Sequence, residues 1–146
     1  MDEGLKLSAL AAEDMDILSA ACVGAITSPG EMSYSSVSRQ FTFTASRLMW
    51  EKQAGNSSGA NRIRSGLFFG DVLSVKSMGF PQSASTTAIE LLSMTTTTEE
   101  DGGANINLNF AGGVTLSLNV ECVNAVLTDV GKSWHTDKLP NYEDGE

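Results

Sequence analysis

Apolar residues near the N-terminus recur with a helical period. Within residues 9–26, Met15, Leu18 and Cys22 are spaced by three and four positions, so a helix would carry them on one face. Acidic side chains crowd the first turns of this segment, where the helix dipole favours negative charge. The pattern predicts one amphipathic helix over residues 9–26.

After the helix the period changes to two, which is typical of β-strands. Strand-like segments separated by Gly, Ser, Asn and Asp follow at residues 31–35, 40–51, 62–69, 72–78, 87–97, 104–110 and 114–120. In the second of these the large apolar residues change parity, from Phe41 and Phe43 to Leu48 and Trp50. A strand changes its buried face only through a bulge or corner, so we expect one near Ser46 and Arg47.

The clearest alternation lies at residues 104–120, and it fixes a hairpin register. A two-residue turn at Gly112 and Gly113 would put the apolar residues of the two strands on opposite faces. A three-residue loop, Ala111–Gly113, instead pairs Phe110 with Val114 and keeps both apolar sets on one face. We therefore predict the three-residue loop, with Gly113 in the left-handed conformation.

The C-terminal part has a less decisive pattern. Val123, Val126, Leu127 and Val130 form a stripe at helical spacing, and Gly131 follows them as a helix C-cap would. We predict a short helix over residues 121–131, with a strand as the alternative because of its β-branched content.

Together these elements predict one α+β domain over residues 1–139, long enough to bury a core. It would have an N-terminal helix, about six antiparallel strands forming a strongly curled sheet or partial barrel, and a short C-terminal helix. Residues 140–146 read as a disordered acidic tail.

Four stretches resemble one family of small bacterial proteins. They are LSALAAEDMDILSA, FTASRLMWE, RSGLFFGDVLSVKSMGF and NFAGGVTLSLNVECVNAVLTDVG. The chain is similar over residues 5–135 to domain of unknown function family 2948. The resemblance implies a cytosolic bacterial protein and supplies no activity.

Composition is ordinary for a globular protein, but charge is unevenly spread. The net charge is −9, which argues against general nucleic-acid binding. Residues 32–89, however, carry six basic and two acidic residues. A local basic patch is therefore compatible with the acidic chain.

The compartment is inferred from the cysteines and the apolar runs. The N-terminus lacks the uninterrupted apolar stretch of a secretory signal, and no run approaches the length of a membrane span. We expect a cytoplasmic protein that makes no membrane contact, with Cys22 and Cys122 as reduced, semi-buried thiols.

Sequence motifs for catalysis, metals and cofactors are weak. His135 is the only histidine, and no nucleophile elbow accompanies it. Cys22, Cys122 and His135 lack paired ligand spacing, and GKS at residues 131–133 lacks the first glycine of a P-loop. We predict no metal, no cofactor and no catalytic residue.

The remaining candidate is a basic and aromatic patch. If the strands ending at Trp50 and starting at Arg62 form a hairpin centred on Asn56, Trp50 falls opposite Arg62, and Arg47 falls near Arg64. The candidate site residues are Arg47, Trp50, Lys52, Arg62 and Arg64. They could bind an anion, or they could simply complete a sheet surface.

The function predicted from the sequence is accordingly general. We expect a non-enzymatic binding or interaction module whose patch holds an acidic protein surface or a small anion. The alternatives are a structural homo-oligomer and an enzyme of unrecognised type.

Overall fold

A computed structural model describes residues 4–52, 60–80 and 86–136. Within them the chain forms ten strands and one α-helix. The elements are β1 Lys6–Ala9, α1 Ala12–Cys22, β2 Ile26–Thr27, β3 Met32–Ser35, β4 Gln40–Leu48, β5 Ala60–Phe69, β6 Val72–Met78, β7 Ile89–Thr98, β8 Ala104–Phe110, β9 Val114–Val120 and β10 Ala125–Thr136. Short 3₁₀ helices occupy Pro29–Glu31 and Trp50–Lys52.

All strands pair antiparallel in one sheet with the order β1-β10-β5-β4-β2-β7-β8-β9-β6, and β3 pairs with β4 beside β2. The short β2 joins two halves of this sheet, because Ile26 pairs with Ser46 of β4 and with Glu90 of β7. The pairing path ends at β1 and β6, so the sheet is not a closed barrel.

One apolar core lies between the two halves of the sheet and the helix. It includes Phe43 and Leu67 from one half and Leu108 and Leu118 from the other. Met15, Leu18 and Cys22 of α1 are buried in the same core. The helix prediction is thus confirmed, although α1 is shorter at both ends than residues 9–26.

The predicted fold class is wrong in three respects. The sheet has ten strands rather than about six, it is not the predicted curled six-strand sheet or partial barrel, and no helix follows β9 in the described residues. The additional strands include β1 and β2, whose four and two residues are too short to establish an alternating pattern.

The segment predicted as a C-terminal helix is the strand β10. Ala125, Leu127 and Asp129 point inward while Val126 and Thr128 point outward, so the period is two. Because Val126 and Val130 lie on the outer face, the apolar residues of this strand happen to recur at helical spacing. The strand pairs on both sides, with β1 and β5, which suits its β-branched residues. Gly131, predicted as a helix cap, has a φ of 74° where the pairing with β5 shifts register.

The hairpin between β8 and β9 has the predicted register. Phe110 pairs with Val114 and Leu108 with Leu116, which makes Ala111–Gly113 the three-residue loop. Gly113 has a φ of 78°, as such a loop requires. The predicted tail at residues 140–146 lies outside the described residues.

Candidate functional site

The expected bulge at Ser46 and Arg47 is absent. Strands β4 and β5 pair without a shift from Phe41 to Leu48, and Arg47 takes the inward position that follows Ala45. Leu48, on the other face, is buried as well. The register differs by two residues from the predicted one, so Leu48 rather than Trp50 lies opposite Arg62.

Arg47 lies inside the protein with no exposed side-chain surface. Its Nε and one terminal nitrogen donate to the two carboxylate oxygens of Asp129, at 2.8 and 2.5 Å. Glu51 accepts two further hydrogen bonds at 3.1 and 2.8 Å, and the carbonyl of Leu48 accepts one at 3.0 Å. These bonds use all five N–H groups of the guanidinium.

Asp129 is equally saturated and equally buried. Besides Arg47, it accepts hydrogen bonds from the Ser65 hydroxyl at 2.6 Å and from the Leu5 backbone N–H at 2.7 Å. Burial disfavours its charge, but the hydrogen bonds from Arg47, Ser65 and Leu5 outweigh burial and lower the pKa of Asp129. All five N–H groups of Arg47 and both oxygens of Asp129 therefore bond within the protein, and these bonds tie β4 to β10.

Trp50 and Arg62 lie at the end of α1, where backbone carbonyls lack helical partners. The indole N–H of Trp50 donates to the carbonyl of Val23 at 2.8 Å. Arg62 donates to the carbonyls of Ser46 at 2.8 Å and Gly24 at 3.4 Å. Both side chains of the predicted patch are therefore engaged by the backbone.

Arg64 and Lys52 complete the predicted set in different places. Arg64 points outward from β5, where it forms a half-exposed ion pair with Glu31 at 2.5 Å. Lys52 ends the 3₁₀ helix after Trp50. The structure thus separates the five residues: one is internal, two are near the end of α1, one is on the outer sheet face and one ends the second 3₁₀ helix.

A recess on the outer face of β4, β5 and β10 is the feature that the sequence patterns did not reveal. Gly66 lies at its centre, flanked by Thr44 of β4 and Thr128 of β10. A Cβ at Gly66 would meet no other atom within 4 Å. The resulting recess has a volume of about 290 Å³ and is lined mainly by apolar surface. We call it the Gly66 recess; its walls include Phe68 and Val126.

Basic and aromatic side chains occur on the same face of the sheet as the Gly66 recess. Arg64 is two residues from Gly66 on the same face of β5, and Lys6 of β1 pairs with Thr128. Trp134 of β10 lies directly opposite Arg62 and is 45% exposed. The exposed basic and aromatic side chains on this face are thus Arg64, Lys6 and Trp134, whereas Arg47 is internal. A glycine inside a central strand was the signal that could have indicated the recess.

Residues 5–142 match the model of the family described as "Protein of unknown function (DUF2948)". The chain belongs to this family. The match covers nearly the whole chain, and it confirms the resemblance inferred from the sequence. No curated protein and no solved structure matches the chain.

Because the description of family DUF2948 names no activity, reactive groups must be judged from their surroundings. Burial, which outweighs the influence of Arg47, raises the pKa of Cys22 to about 12. A hydrogen bond to Asp71 at 3.3 Å raises the pKa of the exposed Cys122. Both thiols are unpaired, and both environments disfavour the thiolate that nucleophilic chemistry needs.

The described residues of this DUF2948 protein hold neither a metal-binding cluster nor a membrane-spanning helix. There, no three His, Cys, Asp or Glu side chains cluster closely enough to hold a metal ion. No helix among the same residues is long and apolar enough to cross a membrane. The sole histidine, His135, lies opposite Asn61 in the pairing of β10 with β5.

Proposed function

We propose that this protein is a non-enzymatic binding module that holds an acidic, partly apolar protein segment on the outer face of β4, β5 and β10. The observation that carries the proposal is Gly66. Glycine weakens the interior of a strand because it has no side chain to pack. Its backbone φ is not in the left-handed range and the space above it is empty, so neither strain nor crowding requires glycine here.

The chemistry around the Gly66 recess specifies the occupant. The mostly apolar lining suits one apolar side chain of a partner, since burial contributes about 25 cal/mol per Å². Arg64 and Lys6 on the same face of the sheet attract carboxylates, and the exposed Trp134 adds an aromatic surface of the kind enriched at interfaces. An acidic residue next to an apolar one in the partner would satisfy both features.

Glu31 pairs with Arg64 when no partner is bound. It accepts hydrogen bonds from Arg64 and from the Thr44 hydroxyl, and it lines the recess. A partner carboxylate would compete with Glu31 for Arg64. Because this ion pair is half-exposed, it contributes less than about 1 kcal/mol, and such competition is energetically feasible. The proposal includes a cytosolic location, because both cysteines are unpaired and disulfides form mainly outside the cytosol.

Peptide display against the immobilised protein tests this proposal. We expect enrichment of sequences with Asp or Glu adjacent to a large apolar residue. Enriched peptides should bind Gly66→Val and Arg64→Gln at least about tenfold more weakly. Arg39→Gln is the matched control, because Arg39 also forms an exposed ion pair, with Glu121, but away from the Gly66 recess. Equal binding to wild type and Gly66→Val would overturn the proposal.

A homo-oligomer is the second candidate, and strand β6 favours it. In the described residues β6 pairs only with β9. Val72 on its other edge bonds Arg39 and Tyr34, and the rest of that edge can pair with another chain. Met78 on this strand is 73% exposed, and β6 borders an apolar groove of about 320 Å³ together with Tyr34 and Phe80. Native mass spectrometry of wild type and Met78→Lys tests it: a dimer lost in the variant supports assembly through β6.

A further inference from the structure

A regular array of polar side chains covers the outer face of β6, β7, β8 and β9. Strand pairing aligns its members in three rows across the sheet. The rows are Thr97-Asn105-Asn119-Ser74, Thr95-Asn107-Ser117-Lys76 and Ser93-Asn109-Thr115-Met78. We call these positions the polar array. Apart from Met78 at one corner, every side chain in it is an amide, a hydroxyl or the ammonium of Lys76.

The asparagines of the polar array are unexpected on stability grounds. Asparagine is depleted in β-strands, whereas threonine suits the exposed face of a sheet. Yet β8 places asparagine at every outward position, 105, 107 and 109, and β9 adds Asn119. A local rule broken repeatedly without a packing gain marks a functional position more often than a structural one.

Hydrogen bonds across the strands orient these amides. Asn119 donates to the side-chain oxygen of Asn105 at 3.2 Å, and Ser117 donates to that of Asn107 at 2.5 Å. Asn109 donates to Ser93 at 3.0 Å. These bonds engage one end of each amide, which is the oxygen in Asn105 and Asn107 and the nitrogen in Asn109 and Asn119. Side chains held in this way form a pre-organised set of donors and acceptors.

A cavity opens on one half of the polar array. It has a volume of about 420 Å³ and is lined by Ser74, Lys76, Asn105, Ser117 and Asn119. Most of its lining is polar. Lys76 forms no ion pair within the described residues. The cavity therefore presents one uncompensated positive charge beside two amides and two hydroxyls.

We propose that this cavity binds a small polyhydroxylated monocarboxylate, that is, a sugar acid. Amides and hydroxyls each offer both donors and acceptors, which matches the hydroxyl groups of a sugar. Lys76 supplies the counter-charge for one carboxylate. The turn from β7 to β8 carries Glu99, Glu100 and Asp101, and this charge disfavours ligands with several negative groups. The site is on a different part of the sheet from the Gly66 recess and does not depend on it.

Titration of the ¹⁵N-labelled full chain with D-glucuronate tests the proposal, with D-glucose and acetate as matched probes. D-glucuronate should shift the amide resonances of Ser74, Lys76, Asn105, Ser117 and Asn119. Glucose lacks the charge and acetate lacks the hydroxyls, so each should bind at least about tenfold more weakly. No shift on this face with D-glucuronate would overturn the proposal, and so would equal affinity for acetate or for glucose.

Variants separate this binding from a structural role of the array. Lys76→Gln should weaken D-glucuronate binding about tenfold, whereas Lys132→Gln, which removes the same charge from exposed β10, should not. Asn105→Thr with Asn119→Thr should retain or raise the Tm, because threonine is the better strand residue, and should abolish binding. Binding that survives both threonine substitutions would contradict the assignment.

Discussion

Arg47 and Asp129 are 82 residues apart in the chain and form a two-point ion pair inside the protein, at 2.8 and 2.5 Å. Neither side chain has exposed surface. The pair links β4 to β10, two strands that do not pair with each other and lie on either side of β5. The pair thereby ties the two neighbours of β5 to each other across that strand.

Breaking this pair from one side should destabilise the protein strongly. Asp129→Asn leaves the guanidinium of Arg47 buried with one carboxylate lost, and we expect a cost of about 3–5 kcal/mol in the free energy of unfolding. Urea denaturation measures it. The double variant Arg47→Met, Asp129→Leu should recover much of the loss, because buried ion pairs can be replaced by apolar groups.

The control for the Asp129→Asn and double variants is Arg39→Met. Its ion pair with Glu121 is exposed at both ends, so the expected change is under about 1 kcal/mol. A cost for Asp129→Asn that is no larger than this would contradict the interpretation of the cluster as a structural tie.

Acidic pH should lower the free energy of unfolding through the same cluster of Arg47, Glu51 and Asp129. Burial opposes the charge of Asp129 and Glu51, but hydrogen bonds with Arg47 outweigh it, so both pKa values lie below their ordinary values of 3.8 and 4.5. The stabilisation is complete at neutral pH. As pH falls below about 5, the unfolded chain binds protons first and stability declines until the folded carboxylates are also protonated.

Urea midpoints between pH 7 and pH 3 measure this dependence. The double variant Arg47→Met, Asp129→Leu lacks the pair and should show a flatter slope across the acidic range. A slope identical to wild type would mean that other carboxylates cause the acid sensitivity.

The outcome at Arg47 shows what sequence patterns can and cannot predict here. The period of the apolar residues correctly located α1, the strands of the β8–β9 hairpin and its loop, because their inward residues are all apolar. It misplaced a bulge in β4, because an arginine at an inward position looks like a change of face. The inward arginine is compensated by Asp129, which is distant in sequence, together with Glu51. The sequence could not reveal the pair, since β10 was itself predicted as a helix.

Substitution by valine should have opposite effects on stability at Gly66 and at Gly113, although both positions have room for a Cβ. Neither Gly66 nor Gly113 has an atom within 4 Å of a Cβ position, but Gly113 has a φ of 78°. Gly113→Val should cost about 1–2 kcal/mol of backbone strain. Gly66→Val should stabilise by about 0.5–1 kcal/mol, because valine is favoured in strands. Thermal unfolding of both variants decides this; a destabilised Gly66→Val would mean that the recess is needed for folding.

The two thiols should differ in reactivity under native conditions. Iodoacetamide should modify exposed Cys122 and leave buried Cys22 unmodified until the protein is denatured. Asp71→Asn should accelerate modification of Cys122 at pH 7.5, because the hydrogen bond to Asp71 raises the pKa of this thiol and the thiolate is the reactive form. Asparagine also tolerates the positive φ of 56° at position 71. Mass spectrometry follows the rates, and an unchanged rate would argue against this hydrogen bond.

Arg62 and Arg64, two residues apart on β5, should prove to have separate roles. Arg62 donates to the carbonyls of Ser46 and Gly24 near the end of α1. Arg62→Gln should therefore cost about 1–2 kcal/mol, since it leaves partly buried carbonyls without donors. Arg64→Gln should change stability by under about 1 kcal/mol, because its ion pair is exposed.

The salt dependence of their contributions to stability should distinguish Arg62 and Arg64 further. The contribution of Arg64 should decline between 0.05 and 0.5 M NaCl, since the screening length for exposed charges falls from about 14 Å to about 4 Å over this range. The hydrogen bonds of Arg62 to the carbonyls of Ser46 and Gly24 should depend less on salt. Urea unfolding of each single variant at both salt concentrations measures this. If Arg64→Gln destabilises as much as Arg62→Gln at high salt, Arg64 is part of the structural framework, and its role as a binding residue beside Gly66 loses its support.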